Sequence, residues 1–420
     1  MPTLESIHSY FVMKPQKSKK VIYLDNAATT PLAPEVLLVM QPFFTKEYGN
    51  PSSLYSLGVH ASTALEVARK EVADVLKCRA KEIVFTAGAT ESINLAVLGY
   101  CRSVRTSAFT PHVITTAIEH EAVLECCKQL ETEGFSVTYL PVSKDGLVDP
   151  KEFKKALRPE TVFASIMYAN NEVGSIQPIF QISRILRHAN QDRRQAGKHE
   201  VVLHSDAAQA AGYLDINVQK LSVDMLSING SKVYGPKQTG CLFVREGIGL
   251  QPIIFGGGQE RGLRSGTQNV AGFVGFARAL KVAENAKQKE LKRVTALRDW
   301  FVAQLEKKFG ATLNGPDDRK LHLQEARRRM PNNLHMSFPG VEGEALMLYL
   351  DAWNIAVSTG SACAEAGDKP SHVLTAIGNA EPESAIRYTL GRYTLKTDLL
   401  YVLKVLDHIL PLLRNMKKLE

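Results

Sequence analysis

The sequence predicts an α/β protein, with a large domain built on a mostly parallel seven-stranded sheet and a smaller α/β domain at the C-terminus. Between about residues 70 and 245, helical patterns alternate with short β-rich runs, an arrangement that favours parallel strands. These runs are apolar throughout rather than alternating, which is typical of strands that helices cover on both faces. The predicted strands are Glu82–Phe85, His112–Thr116, Phe135–Val142, Thr161–Tyr168, Val201–Ser205, Asp224–Ile228 and Gly240–Val244.

The pattern changes near residue 271, where we expect the second domain to begin. Apolar residues recur at helical spacing over the charged segment Leu291–Leu305, which predicts a connecting amphipathic helix that ends at Gly310. Strands are predicted at Leu334–Phe338 and Ile386–Leu390, and a helix at Asp398–Leu413. The predicted division is a polar extension over 1–20, a large domain over 21–270 and a small domain over 271–420, with 21–35 as a segment that could pack on the small domain.

Composition and charge are those of an ordinary globular protein and argue against several functional classes. The 420 residues are 45% hydrophobic and 22% charged, no apolar run reaches the ~18 residues of a membrane span, and the N-terminus lacks the apolar region of a signal peptide. The net charge of +8 is dispersed, which favours a basic surface or an acidic partner over nucleic acid. Six cysteines without a CxxC pair indicate a reducing compartment, so we expect a cytoplasmic protein without a metal site.

Lys232 is the residue whose position is most informative. It follows the apolar run Val223–Ile228 after only three residues, Asn-Gly-Ser. A lysine at the end of a buried strand is costly unless it is exposed or used chemically. An amine whose pKa is lowered by burial can form a Schiff base, which is what a pyridoxal phosphate (PLP) enzyme requires. An isolated lysine before a Tyr-Gly-Pro turn is more often a solvated loop residue, so this hypothesis depends on the other segments.

Two further strand ends carry groups that such a cofactor would need. In the segment Phe85–Leu95, a turn of small residues opens a helix, so Ala89 and Thr90 could bind a phosphate, although a plain helix start has the same pattern. Asp206 ends the strand near Val201–Ser205 and could pair with a pyridine nitrogen, or cap a helix. Gln209, one turn later, could donate to the ring hydroxyl.

Three other residues have side chains suited to the chemistry. His120 ends a strand and could stack on a ring and move protons, although an isolated histidine is more often structural. Cys363 lies in a loop of small residues that resembles neither an apolar core nor a metal site, which suits nucleophilic or redox chemistry. Arg387, on a predicted strand, could form paired hydrogen bonds with a substrate carboxylate.

In their order along the chain, these segments closely resemble the cysteine desulfurases, the NifS/IscS-like members of the class V aminotransferase family with PLP fold type I. The resemblance runs from Tyr23 to about Arg392. Besides the segments above, it includes Tyr23–Pro31, Gly49–Ser53, Asn170–Gly174, Phe255–Arg261, Arg264–Gln268 and Pro331–Asn333.

The resemblance implies a role for each candidate residue. Lys232 would hold PLP as an internal aldimine, His120 would stack on its ring, and Cys363 would accept the sulfur. Thr267 would reach the phosphate of the neighbouring subunit, which implies a homodimer with composite sites. The remaining implied roles are ring partners for Asp206 and Gln209, phosphate binding for Ala89, Thr90, Asn229 and Ser231, and substrate carboxylate binding for Asn171 and Arg387.

The reaction implied is the conversion of L-cysteine to L-alanine, with the sulfur kept as a Cys363 persulfide for an iron–sulfur scaffold or a sulfur carrier protein. One departure concerns the cofactor lysine, where the family usually has Ser-x-His-Lys and this chain has Asn229-Gly-Ser231-Lys232. Asn229 and Ser231 can still donate hydrogen bonds, but the charge of an imidazolium is absent. Alternative hypotheses are a selenocysteine lyase, a non-catalytic scaffold of a sulfur-assembly complex and an ordinary aminotransferase.

Overall fold

The computed structural model describes residues 20–105, 110–320, 327–360, 371–379 and 384–416. Within these ranges the largest sheet has seven strands in the order β2-β8-β7-β6-β5-β3-β4. Only β8 runs antiparallel to its neighbours β2 and β7, so the predicted mostly parallel sheet is confirmed. The strands are β2 Ile83–Thr86, β3 His112–Thr116, β4 Ser136–Leu140, β5 Thr161–Ser165, β6 Val202–Asp206, β7 Met225–Asn229 and β8 Gly240–Val244.

Helices cover both faces of this sheet, as the apolar strands predicted. Adjacent strand residues belong to different hydrophobic clusters: Phe85 and Ile114 pack in one, whereas Val84 and Val113 pack in the other. The α-helices of the described ranges are Pro34–Met40, Pro42–Thr45, Ser56–Leu76, Ala89–Ser103, Glu121–Thr132, Pro150–Ala156, Ile179–Gln195, Val218–Leu221, Val270–Phe309, Gly343–Ala352, His372–Ala376 and Lys396–Met416.

A third hydrophobic cluster surrounds two small sheets formed mainly by the C-terminal part of the chain. β10 (Asn333–Ser337) pairs antiparallel with both β9 (Thr312–Leu313) and β12 (Ala385–Thr389). β1 (Ile22–Tyr23), from the start of the described chain, pairs parallel with β11 (Ile355–Ala356). Because Ile22 and Leu24 are buried in this cluster, an early segment of the chain completes a core that belongs mostly to later residues.

The helix Val270–Phe309 connects the two regions and confirms the predicted amphipathic helix. Its first part, with Phe273 and Phe276, packs in a cluster of the large sheet, and its second part, with Phe301 and Leu305, packs in the C-terminal cluster. The helix ends at Gly310, whose φ of 67° is left-handed and therefore favours glycine. The domain boundary near residue 270 stays a prediction, because one continuous helix contributes to both cores.

The arrangement of the large sheet determines where a site can form. The carboxyl ends of its parallel strands meet at one edge, and the loops that follow them carry most of the candidate residues.

Across the described ranges, none of the helices combines the length and apolar composition that crossing a membrane requires.

Candidate active site

Lys232 lies in the single helical turn Gly230–Lys232 that follows β7, where its side chain is partly buried. Its amine donates a hydrogen bond to the carbonyl of Ala28. The turn is tightly packed, because a Cβ on Gly230 would collide with the hydroxyl of Thr239. The structure therefore fixes the backbone at Lys232 and leaves its amine at the carboxyl edge of the sheet.

Asp206, the last residue of β6, is a buried carboxylate close to two candidate residues. Its Oδ1 accepts a hydrogen bond of 2.9 Å from the N–H of Ala208, and its residue is only 6% exposed. Burial raises the pKa of Asp206, whereas the nearby His120 and Lys232 lower it. A carboxylate in this environment is stabilised by a cation, and a protonated pyridine nitrogen would supply one.

A cleft of about 520 Å³, lined in part by Ser231 next to Lys232 in the sequence, has the features of a phosphate site. The helix Ala89–Ser103 begins there after Gly88, and no side chain caps its N-terminus. In the described part of the chain, the N–H groups of Ala89, Thr90 and Glu91 have no hydrogen-bond acceptor. Free N–H groups and the positive end of a helix together favour an anion.

Asn229 and Ser231 also line this cleft. The Oδ1 of Asn229 accepts hydrogen bonds of 2.8 Å from both the N–H and the hydroxyl of Ser231. Lys237 also lines the cleft and donates to the carbonyl of Thr30 at 3.1 Å. The cleft thus contains a lysine side chain in addition to the polar groups of Asn229 and Ser231.

His120 and Gln209 are oriented by contacts with the backbone. His120 caps the helix Glu121–Thr132, and its Nδ1 accepts a hydrogen bond of 3.1 Å from the N–H of Ala122. The proton of neutral His120 is therefore on Nε2. Gln209 donates to the carbonyl of Ala27 at 3.0 Å, so the segment that receives Lys232 at Ala28 also contacts Gln209.

Arg387, on β12, lies in contact with Asn171. The buried guanidinium of Arg387 donates to the carbonyl of Asn171 at 3.1 Å and forms an ion pair of 2.8 Å with Asp25. Its Nε has no hydrogen-bond partner among the described residues. The structure therefore brings the two predicted carboxylate binders together, and it adds Asp25 as a partner that the sequence analysis did not identify.

A profile of the family described as aminotransferase class-V matches residues 22–402. The chain belongs to the class-V aminotransferase family.

Its relatives in that family include proteins named cysteine desulfurase. The chain is 45% identical over 401 residues to cysteine desulfurase IscS of Dictyoglomus turgidum, covering 94% of this chain and 96% of the relative. It is 42% identical to cysteine desulfurase IscS of Methanosarcina thermophila, covering 95% and 94%. A solved NifS-like protein, 38% identical, superposes with a TM-score of 0.85 and covers 94% of this chain and all of the other. The predicted family and fold type are confirmed.

Two of the predicted class-V site residues lie away from this cleft or outside the described residues. Thr267 is exposed and is not among the residues that line the cleft. Its loop is nevertheless tied to the cleft, because Arg264 pairs at 2.8 Å with Glu91 in the first turn of the helix Ala89–Ser103. Cys363 lies outside the described residues. The roles of both residues stay predictions.

Glu119 is a buried residue of the site that the sequence analysis missed. Its Oε1 accepts hydrogen bonds of 2.8 Å from the hydroxyl of Thr116 and the N–H of Met167. Its Oε2 has no partner among the described residues. Burial, together with the negative charge of Asp206, raises the pKa of Glu119 to about 8. Its position at a strand end beside His120 was the only signal in the sequence. That signal was weak, because a glutamate at a strand end is ordinarily exposed.

We expect Glu119→Gln to flatten the pH dependence of stability. An acid whose pKa is raised by folding stabilises the folded state when protonated, and this contribution is lost as pH rises from about 4.5 to about 8. The free energy of unfolding of the wild type should fall relative to that of Glu119→Gln by roughly 1 kcal/mol per pH unit in this window. Urea unfolding at several pH values measures the difference.

The matched control for this prediction is Glu125→Gln, which alters an exposed glutamate paired with Lys128 on the adjacent helix. The control should keep the wild-type pH dependence. Parallel curves for wild type and Glu119→Gln would contradict the prediction.

Proposed function

We propose that this protein is a PLP-dependent cysteine desulfurase, which converts L-cysteine to L-alanine and retains the sulfur as a persulfide on Cys363. The observation that carries the proposal is the placement of the buried Asp206 near Lys232, together with a cleft that Ser231 lines and that exposes the free N-terminus of a helix. Relatives named cysteine desulfurase, over 40% identical along nearly the whole chain, support it. So does a structural neighbour, 34% identical with a TM-score of 0.73, described as SspA in complex with cysteine.

The residues present fit PLP in the charges and hydrogen-bonding groups that they offer. Asp206 would hold the ring nitrogen in its protonated form, and the N–H groups of Ala89 and Thr90, with Ser231 and Lys237, would bind the phosphate. When bound, PLP acts as an electron sink that makes the Cα proton of the substrate acidic. Gln209 and His120 would contact the ring, and Lys232 would bind the cofactor covalently in the resting enzyme.

Lys232 is also the proposed base for the Cα proton. Once substrate has replaced it, its Nζ is an amine on a turn that packing holds at the sheet edge, so the amine stays within reach of the substrate. Arg387 and Asn171 would orient the substrate through its carboxylate, with Asp25 and the Asn171 carbonyl holding the guanidinium in place.

Cys363 performs the sulfur transfer in this proposal. Its thiolate attacks the substrate sulfur, an S–S bond forms, and the bond between the substrate sulfur and Cβ breaks. The electron pair of the broken bond goes to the carbon skeleton, which takes up a proton and leaves as alanine. This transfer of sulfur needs no external reductant. A free thiol with a pKa of about 8.5 is mostly protonated at neutral pH, so a neighbouring group would have to take the proton of Cys363.

The proposed assembly is a homodimer in which Thr267 completes the phosphate site of the other subunit. The loop before it exposes Phe255, which is 82% accessible, and a large exposed aromatic side chain suits an interface. The proposed sulfur acceptors are an iron–sulfur scaffold or a carrier protein. The free cysteines of the described residues, four of them buried, suit a reducing compartment, and we propose the cytoplasm.

The test is an absorbance spectrum of the purified protein before and after addition of L-cysteine, with alanine and sulfide quantified. A band near ~400 nm that changes on addition of cysteine, with alanine accumulating, is the expected result. A protein that contains cofactor but forms alanine only from selenocysteine would instead be a selenocysteine lyase. A protein without cofactor absorbance would contradict the proposal and favour a scaffold.

A further inference from the structure

β2 is the outermost strand of the large sheet, and side chains cover the edge that it presents. Among the described residues its one strand partner is β8. The carbonyl of Ile83 accepts hydrogen bonds from Arg69 at 3.1 Å and from Arg261 at 2.6 Å. The N–H of Phe85 donates to Oε2 of Glu260 at 2.9 Å. Side chains thus satisfy backbone groups that an edge strand otherwise leaves to solvent.

Glu260 is a buried charge whose side chain is 1% exposed, although its neighbours Gly258 and Arg261 lie at the surface. Both terminal nitrogens of Arg69, on the helix Ser56–Leu76, donate to its two carboxylate oxygens at 2.6 and 2.8 Å. Paired hydrogen bonds of this kind fix both distance and orientation. Because burying two charges costs free energy, such a pair indicates a constraint on geometry rather than a gain in stability.

The backbone around Glu260 is also unusual. In the segment Gln259–Arg264, here called the clamp loop, Glu260 and Arg261 have φ values of 49° and 58°. Residues with a side chain rarely adopt this left-handed conformation, so contacts with other segments have to hold it. These two residues are the ones from the clamp loop that contact β2. The strained turn therefore aims two successive side chains at the strand edge.

The strand that the clamp loop covers leads directly to the phosphate cleft. β2 runs into the turn Ala87–Gly88 and then into the helix Ala89–Ser103, and residues of the turn and of the first helical turn line the cleft. The carboxylate of Glu91 accepts from the N–H of Ala87 at 2.9 Å and from Arg264 of the clamp loop at 2.8 Å. One loop therefore contacts the strand before the turn and the helix after it.

We propose that Glu260 and Arg69 are positioning residues, which hold the phosphate-binding turn in its binding geometry through the clamp loop. This inference rests on the proposed function and extends it. A phosphate binds more tightly when the N–H groups that receive it are already aligned, because binding then has less chain to order. The clamp loop continues towards Thr267, so the same ion pair would also align the residue proposed to reach the phosphate of the neighbouring subunit.

The experiment has two readouts, both on the full chain. Titration of cofactor-free protein with PLP, followed by absorbance, gives the Kd, and hydrogen exchange with fragmentation mass spectrometry gives the exchange rate of the Ala87 N–H without cofactor. The Ala87 N–H donates to Glu91, so a change there reports an effect that the clamp loop transmits. For Glu260→Ala we expect a Kd at least about tenfold higher and exchange roughly 10- to 100-fold faster, the shift expected for loss of a charge-assisted hydrogen bond.

Two further variants separate positioning from stability. Removing Glu260 alone leaves Arg69 buried with only the exposed Glu66 as a counter-ion, which by itself lowers stability. The double variant Arg69→Met/Glu260→Ala removes both buried charges, so it should resist urea better than Glu260→Ala while showing the same changes in Kd and exchange. Glu260→Gln keeps an oxygen for the N–H of Phe85 and should lie between wild type and Glu260→Ala in both readouts.

The control is Glu133→Ala, which removes an ion pair with Arg102 at the other end of the helix Ala89–Ser103. It should lower stability but keep the Kd and the Ala87 exchange rate within about twofold of wild type. If the folded double variant bound PLP within about threefold of wild type, or exchanged Ala87 at the wild-type rate, the positioning role would be refuted. A wild type that bound no PLP would refute the proposed function instead, and the exchange of Ala87 would then decide whether the ion pair holds the turn.

Discussion

Replacing Lys232 with alanine is expected to lower the rate of alanine formation from L-cysteine by at least about 1,000-fold. The substitution removes both the amine that would bind the cofactor and the base for the Cα proton, and a positioned base alone contributes roughly 100- to 10,000-fold. The fold should survive, because backbone contacts hold the turn around Gly230 and the Lys232 side chain, which donates to Ala28, is only partly buried.

The measurements are steady-state alanine formation and borohydride reduction followed by peptide mass spectrometry. Wild-type protein should carry reduced cofactor on the peptide that contains Lys232, and Lys232→Ala should carry none there. Lys220→Ala, which alters an exposed lysine paired with Asp215, is the matched control and should behave as wild type. Retention of more than a tenth of wild-type activity by Lys232→Ala would show that another residue acts as the base.

Replacing Asp206 with asparagine is expected to lower turnover by roughly 100- to 1,000-fold. Asparagine keeps the oxygen that accepts from the N–H of Ala208, but it removes the negative charge that would keep the ring nitrogen protonated. Without cofactor, the same substitution should increase stability at neutral and alkaline pH. Burial raises the pKa of Asp206. Its ionisation in the folded state therefore costs free energy once the pH rises above the ordinary pKa of an aspartate.

This pair of opposite effects separates a catalytic role from a structural one. Turnover of the cofactor-loaded variant should fall. The free energy of unfolding of the cofactor-free variant, measured with urea, should rise. Asp215→Asn, at an exposed aspartate, should change neither substantially. Loss of stability together with loss of turnover would indicate that Asp206 serves the fold, and turnover within tenfold of wild type would argue against its role at the ring.

The sequence predicted the large sheet well because burial on both faces produces continuous apolar runs. His112–Thr116 and Gly240–Val244 were predicted with their observed bounds, whereas the run Thr161–Tyr168 extends beyond β5, which ends at Ser165. Residues 166–168 are apolar for another reason, since Ile166 and Met167 pack in clusters beneath the site. The two-residue strands β1, β9 and β11 were missed, because two residues are too few to show a periodicity.

The candidate site was predictable where chemistry leaves a distinctive residue at a strand end, as at Lys232, Asp206 and His120. Glu119 and Asp25 could not be recognised in the same way, because an acidic residue beside a strand usually faces solvent. Tertiary contacts decide their environment, because Glu119 is buried against Met167 and the partly buried Asp25 pairs with Arg387. The contribution of Lys237 to the phosphate cleft likewise depends on a turn geometry that the residue pattern does not specify.

The pairing of β1 with β11 has a consequence for biosynthesis. Ile22 leaves the ribosome early, yet its partner Ile355 is translated 333 residues later. During synthesis the strands of the large sheet can already assemble, while Ile22 and Leu24 remain apolar and without their core. A nascent chain stalled before residue 355 would therefore present this early segment to chaperones, and completion of the C-terminal core would release it.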